Sequence, residues 1–425
     1  MPERTTRRDP HRQRGAAALI VTLMLFFAMV VTAVFVNRNL LVEQHSAANH
    51  DRATQAFEAA EAGLEWALAQ LNNPQRLGAD CMLSVATDAS AFRTRYLRTD
   101  TNSGRFTPTE RSNGGVMRPL HASCIRTSGG WACSCPNDAA PSLPIGSGSD
   151  AAPSFSIEFV AAVRPGTVRI VSSGCSRAAD LCVADDSHRN AAFARVETTV
   201  ALVPALRTPP AAALTVRGSV ASPAAFSVQN VDPESGLAIH AGGAIAAAAV
   251  RLTTPAGAGP SDALLPNDAT LAASTPALFF AKHFGLGKTD WSAQPGVTRL
   301  DCGADCAPAL LRAIDAAGSP PLIWVDGDLA LDGPVAVGTL DRPVALIVSG
   351  ALRLGGAVQL HGVVHAGAVS WTTPDPAALL RGALLSEAGY SGDGTPALVY
   401  DRAVLATLQR ASGSFVRVGG SWRDF

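Results

Sequence analysis

GAAALIVTLMLFFAMVVTAVFV, residues 15–36, holds no charged side chain. With Asn37, positions 16–37 give 22 uncharged residues, about 33 Å of α-helix and enough to cross a bilayer. Arg4, Arg7, Arg8, Arg12 and Arg14 precede the stretch, and only Arg38 follows it closely. That asymmetry predicts a cytoplasmic N-terminus and export of everything beyond residue 38. A secretory signal peptide would need a shorter apolar core with a cleavage site behind it. Here no proline falls between Pro10 and Pro74, and the apolar run continues into RNLLVEQHSAANHDRATQAFEAAEAGLEWALAQLN, residues 38–72. Ala53, Phe57, Ala60, Leu64, Leu68 and Leu71 recur there at steps of three and four, with Glu58, Glu61 and Glu65 elsewhere on the wheel. Asn72, Asn73 and Pro74 then stop the pattern. Residues 16–72 are predicted as one helix of about 85 Å, membrane-soluble in its first half and amphipathic in its second.

The rest of the chain agrees with export. Of 425 residues, 47 % are apolar and 16 % charged, and the net charge is −1. This excludes a disordered chain and leaves no global basic field for nucleic acid. Gly and Pro are abundant, at 38 and 28 residues, which predicts a turn-rich, β-rich body.

A short basic leader ending in Gly15, the abrupt apolar start AAALIV, and AFEAAEAGLEWA about forty residues later resemble the PilX-type minor pilins of type IV pili. The resemblance is specific over residues 12–72 and faint beyond. It implies that residues 1–15 are a leader cut between Gly15 and Ala16 by prepilin peptidase, with methylation of the new terminus. It further implies a single-pass inner-membrane protein with a periplasmic C-terminal part, later carried to the pilus and cell surface. Its partners would be other minor and major pilins, with a tip adhesin as a further partner. Most pilins carry a glutamate at the fifth mature residue; here that position is Ile20. A buried carboxylate needs a partner, so its absence suggests a subunit at the filament tip or in a priming complex. A membrane-anchored adhesin or binding module, or a minor pseudopilin of type II secretion, stays open beside this reading.

Eight cysteines, Cys81, Cys124, Cys133, Cys135, Cys175, Cys182, Cys302 and Cys306, all follow the apolar span. In an oxidising compartment an even set predicts disulfides. Short spacing favours Cys175–Cys182 and Cys302–Cys306, and the remaining connectivity is open. Cys124, Cys133 and Cys135 with His121 lack the paired spacing of a zinc knuckle.

Three regions follow the helix. Residues 73–205 are expected to form a pilin-like head with cysteine-rich loops. Within it 75–150 read as irregular, and SGGWACSCPNDAAPSLPIGSGSDAAP as loop or linker. Ile157, Phe159, Ala161 and Val163, then TVRIVSSG and FARVETTVALV, read as three strands. ALVPALRTPPAAA is a proline-rich hinge. Residues 211–425 repeat: PLIWVDGDLALDGPVAVG superposes on ALIVSGALRLGGAVQLHG with a shift of 23, matching Val325 with Val348, Leu329 with Leu352 and Leu331 with Leu354. VRGSVASPAAFSV, from Val216, reads as an earlier copy. Such a period fits one coil of a β-solenoid, with a distorted sandwich as the rival. The closing SGSFVRVGGSWRDF is expected to cap the last coil through Trp422 and Phe425. The fold class is thus α+β: a long helix, a pilin-like roll and a β-rich, solenoid-like domain.

Chemistry-bearing patterns are weak. His361 and His365 lack the glutamate of H-E-x-x-H, and Asp326 and Asp328 fall in a repeated turn. No nucleophile elbow, Walker loop or dinucleotide fingerprint occurs. No cofactor, metal or catalysis is expected.

Overall fold

The computed structural model describes residues 14–144, 152–184, 191–247, 250–301 and 306–425. Helix α1 spans Arg14–Asn72. Residues to Gln55 form one compact unit and Ala56–Phe425 another.

The second unit begins with the last turns of α1, whose small residues Ala56, Ala59, Ala60, Gly63 and Ala67 are buried. They face an antiparallel sheet. Its strands are β1 (Ala122–Thr127), β2 (Gly130–Ser134), β3 (Ser154–Ala161), β4 (Thr167–Cys175) and β5 (Phe193–Pro204), ordered β5-β4-β3-β1-β2. Phe155, Ile157, Phe159, Val168, Ile170, Val196 and Val200 meet Ala60, Leu64, Ala67 and Leu71 in one core. Two details differ from the sequence expectation. Val163 does not continue the strand face, because β3 ends at Ala161 and Val163 is exposed in the following turn. The segment 75–150 is also less irregular than its composition suggests. The β1–β2 hairpin lies in it and is closed by Cys124–Cys133; a disulfide and pairing to β3 replace the apolar alternation that would have marked it.

From Ala212 the chain forms a parallel, three-faced coil stack. Its strands are β6 (Ala212–Val216), β7 (Val220–Ser222), β8 (Ser227–Gln229) and β9 (Leu237–Ala241). After helices α2 (Pro276–Phe284) and α3 (Ala307–Ala316) come β10 (Leu322–Asp326), β11 (Leu329–Asp332), β12 (Val344–Gly355), β13 (Gln359–Thr372), β14 (Leu379–Ser386), β15 (Tyr390–Ser391) and β16 (Ala397–Tyr400). Val325 pairs with Val348, Leu329 with Leu352 and Leu331 with Leu354, in the register of the 23-residue repeat. Rungs then shorten: β13 pairs with β14 as Gln359 with Leu379 and Val364 with Leu384. At that corner Gly362 (φ +148°) and Gly382 (φ +136°) stack, where a Cβ on either would meet a carbonyl oxygen at 1.9 Å.

The copy beginning near Val216 does not precede β10 in space. β6 pairs with β14, β7 with β15 and β8 with β16. The stack therefore runs from Val297 to Tyr400, then continues in the earlier segment from Ala212 to Leu265. The connection between its two ends includes α2, which lies on one face. On that face alternate side chains point inward (Val325, Val348, Val364, Leu384, Leu214, Ile239) or outward (Trp324, Ile347, Leu385). The outward set is covered by Phe279, Phe280, Phe284 and Trp291. Helix α3 contributes Leu310 and Ile314 to the inner core beside Val297–Asp301 and β11, shielding the first rung.

Helix α4 (Arg402–Arg410) leads to β17 (Gly413–Arg417) and β18 (Arg423–Asp424). These pair with β5 of the antiparallel sheet, Leu202 opposite Phe415 and Glu197 opposite Arg423. SGSFVRVGGSWRDF is thus not the cap of the last coil. Antiparallel pairing and burial of Phe415 against Phe106 and Asn72 return it to the head.

Candidate assembly interface

In the first unit the large apolar side chains from Leu19 to Val36 are exposed. α1 includes the one span among the described residues that is long and apolar enough to cross a membrane. Thr22 and Thr32 donate their hydroxyls to the helix's own carbonyls at Leu19 (3.0 Å) and Ala28 (2.7 Å), so the segment presents little unpaired polarity to an apolar medium. Gly15 and Ala16 fall in its first turn. Ile20 is 55 % exposed, on the outside of the helix.

The second half of α1 is held by close approach and by polar staples. A Cβ on Gly174 would lie 2.1 Å from the Ala56 carbonyl oxygen, and one on Gly63 would lie 2.2 Å from Ser172 Oγ. At the helix end the Asn72 side chain behaves as a strand neighbour: Nδ2 donates to Phe415 O (2.9 Å) and Oδ1 accepts from Phe415 N (2.7 Å). Arg93 is buried and donates to the carbonyls of Leu71 (3.1 Å) and Gly413 (2.6 Å). Burial lowers its pKa to about 10, so it remains charged. Glu58, Glu61 and Glu65 are exposed, and Glu65 pairs with Arg417 at 2.8 Å.

Residues 14–65 match the family model described as PilX N-terminal. Helix α1 is a PilX-type segment. The resemblance read from AAALIV and AFEAAEAGLEWA is borne out over those residues. No curated protein matches. Among solved structures, the competence-associated pilin ComZ from Thermus thermophilus is similar at 13 % identity, covering 88 % of this chain and 97 % of its own. The TM-score is 0.22, too low to bear on the fold.

Outside the PilX-type helix, the structure joins Cys81 to Cys135, Cys124 to Cys133 and Cys175 to Cys182. Cys306 is disulfide-bonded, and Cys302, its expected partner, lies outside the described residues. The two histidines of HGVVHAG are separated by the Gly362 corner. His361 is partly exposed near Arg381 and Asp401, whereas His365 is buried under Phe279, Phe280 and Phe284. His365 Nε2 lies 3.3 Å from Glu387 Oε1, which Lys288 Nζ meets at 2.6 Å. Burial lowers the His365 pKa. Burial would raise that of Glu387, but His365 and Lys288 outweigh it and hold the carboxylate low. His283, carried on α2 itself, is pushed down to about 4 by burial. Asp326 is taken up by Arg299 and the Trp324 indole, and Asp328 by Arg353 and the Ala351 amide. His121 lies 3.8 Å from Glu158. Among the described residues, no three His, Cys, Asp or Glu side chains converge as a metal site. Reading the sequence missed Arg93 and the Lys288–Glu387–His365 chain, because their partners are distant in sequence and share no motif. Asn72 carried a signal only as a helix stop.

Proposed function

We propose that this protein is a minor pilin that takes part in type IV pilus assembly, at the filament tip or in a priming complex. The carrying observation is the exposed apolar face of α1 within a PilX-type segment. Such a helix gains by burial in a bilayer first and against sister helices afterwards. Prepilin peptidase would cut between Gly15 and Ala16, leaving Ile20 at the fifth mature position, with the N-terminus facing the cytoplasm before assembly and the head outside. Without a carboxylate at Ile20, the subunit has no buried charge to satisfy against a neighbour above it, which supports the tip or priming position. The coil stack adds a large body that helix packing does not need, and it supports display of a binding surface as a second role. Mass spectrometry of the N-terminus from membrane and sheared-filament fractions tests the reading. A methylated Ala16 start is expected, and an intact Met1 or Pro2 start in cells with active peptidase would refute pilin processing. Immunogold labelling spread evenly along filament shafts would refute the tip position.

A further inference from the structure

The last strands of the chain bind the end of its first helix. Asn72, in the final turn of α1, exchanges two hydrogen bonds with the main chain of Phe415, 343 positions later. The Phe415 ring is buried against Phe106, and the Arg93 guanidinium lies over it, 4.7 Å from the centroid. Arg93 also joins Leu71 O to Gly413 O, and Arg417 reaches Glu65. The slot is tight: Gly413 has φ +145°, and a Cβ there would lie 2.0 Å from Val203 O. Where these strands arrive is set by the coil stack. Helix α4, which leads into β17, is capped by Asp401, and Asp401 pairs with Arg381 of β14 at 2.6 Å. Leu405 and Leu408 of α4 pack in the core that holds Ile347, Val363 and Leu385 of β12, β13 and β14. Ser414 Oγ accepts from Gly296 N (3.0 Å), next to the first rung at Val297. One segment thus grips the end of α1 on one side and takes its position from the stack on the other.

We propose that Gly413–Phe425 is a completion strap: it closes on the end of α1 only once the coil stack has formed, and an unfinished subunit is thereby kept out of a filament. The strap is the last part of the chain to be made, and α4 has no face to pack on until β12, β13 and β14 stand. Until then Asn72, Leu71 and Arg93 lack the partners that close the head around the helix end. Polar groups without partners open more readily, and the helix end that carries them frays. A helix already held in place loses less freedom on packing against its neighbours, so a strapped subunit assembles more readily than an open one. The filament step rests on the pilin reading; the coupling of stack, strap and helix end does not.

Hydrogen exchange on the purified full-length protein in detergent tests the coupling. The parent is compared with a chain stopped after Ser412, with Gly413→Val, and with Gly382→Val, which breaks a stack corner but leaves the strap sequence intact. Exchange at Leu68–Asn72 should rise roughly tenfold in each variant, while β3 and β4 stay as in the parent. A synthetic peptide of residues 413–425, added in excess, should restore protection in all of them, because it reaches the slot without help from the stack. Full protection in the stopped chain or in Gly382→Val, no rescue by the peptide, or loss of protection spreading to β3 and β4 would each overturn the strap. In cells, the variants should be processed at Ala16 and yet be depleted from sheared filaments; entry equal to that of the parent would overturn the gate on assembly. A parent left unprocessed would refute the pilin reading and leave the exchange result standing.

Discussion

At the scale of single residues, the head depends on two positions that carry no side chain. Gly174 lets β4 touch α1 at Ala56 and Ala60, and Gly63 lets α1 touch Ser172 and Phe155. Gly174→Val forces the two layers apart and should lower stability by about 3 kcal/mol, the upper range for overpacking, read as a drop in Tm of the purified head. Arg93→Ala removes the donor shared by Leu71 O and Gly413 O. Leaving buried carbonyls unpaired should cost about 2–3 kcal/mol; Arg93→Lys recovers little of it, because one ammonium cannot reproduce the guanidinium fork. Two buried histidines, His283 on α2 and His365 beneath it, set a pH limit. His283 titrates near 6.5 unfolded and about 4 folded, so the unfolded state binds its proton first. The stabilisation is full above about pH 6.5 and is lost as pH falls towards 4. His365, lowered by burial, adds in the same direction. Thermal unfolding between pH 7 and 4.5 should therefore show a falling Tm, with a shallower slope in His283→Gln. Of these residues only His365 stood out in the sequence, and then only as half of a weak His361/His365 pattern. A glycine in a helix and an arginine in a polar loop acquire meaning only when strands far along the chain are brought against them.

Elements were legible where their pattern is local. α1 was readable from end to end, since charge-free composition and three/four spacing both live within one segment. The 23-residue shift predicted the pairing of β10 and β11 with β12 residue for residue, because equal rungs keep equal turns. It still holds where Val337 meets Leu360 at the start of β13 and fails from Gly362 onward, where corners are cut short at Gly362 and Gly382 and the period contracts. The closing strands were assigned to the wrong partner for a related reason: apolar alternation specifies a face and not the sheet that receives it. Helix α2 shows what an element without a repeat does for the stack. Phe280 stacks on Phe284 and meets Trp291, Trp324 and His365 edge-on. Phe280→Ala should cost about 3–5 kcal/mol, and hydrogen exchange should rise on β10, β12 and β13 well before it rises on β4. The β1–β2 hairpin offers a contrast: replacing Cys124 and Cys133 by Ser should loosen that edge by about 2–3 kcal/mol while leaving exchange in the coil stack unchanged.

For the whole molecule, chain order and stacking order part company at the seam where β6, β7 and β8 meet β14, β15 and β16. A permuted chain that joins Tyr400 to Ala212 through a short linker and opens before Val297 keeps every rung contact. It should form the same stack, with far-ultraviolet circular dichroism and m-value matching those of the unpermuted segment 212–400. The natural order has a cost in time. Val228 is made early, yet Leu398, its partner across the seam, is made 170 residues later. At roughly 5–20 residues per second the bare edge of that early rung waits on the order of ten to thirty seconds for its neighbour. On the proposed export it leaves the membrane as an unpaired parallel strand edge, the kind of surface that recruits wrong partners. On that proposal, delivery is a race between export of the last rung and capture of the first, and a holdase acting on the exported side would change the yield more than the final stability.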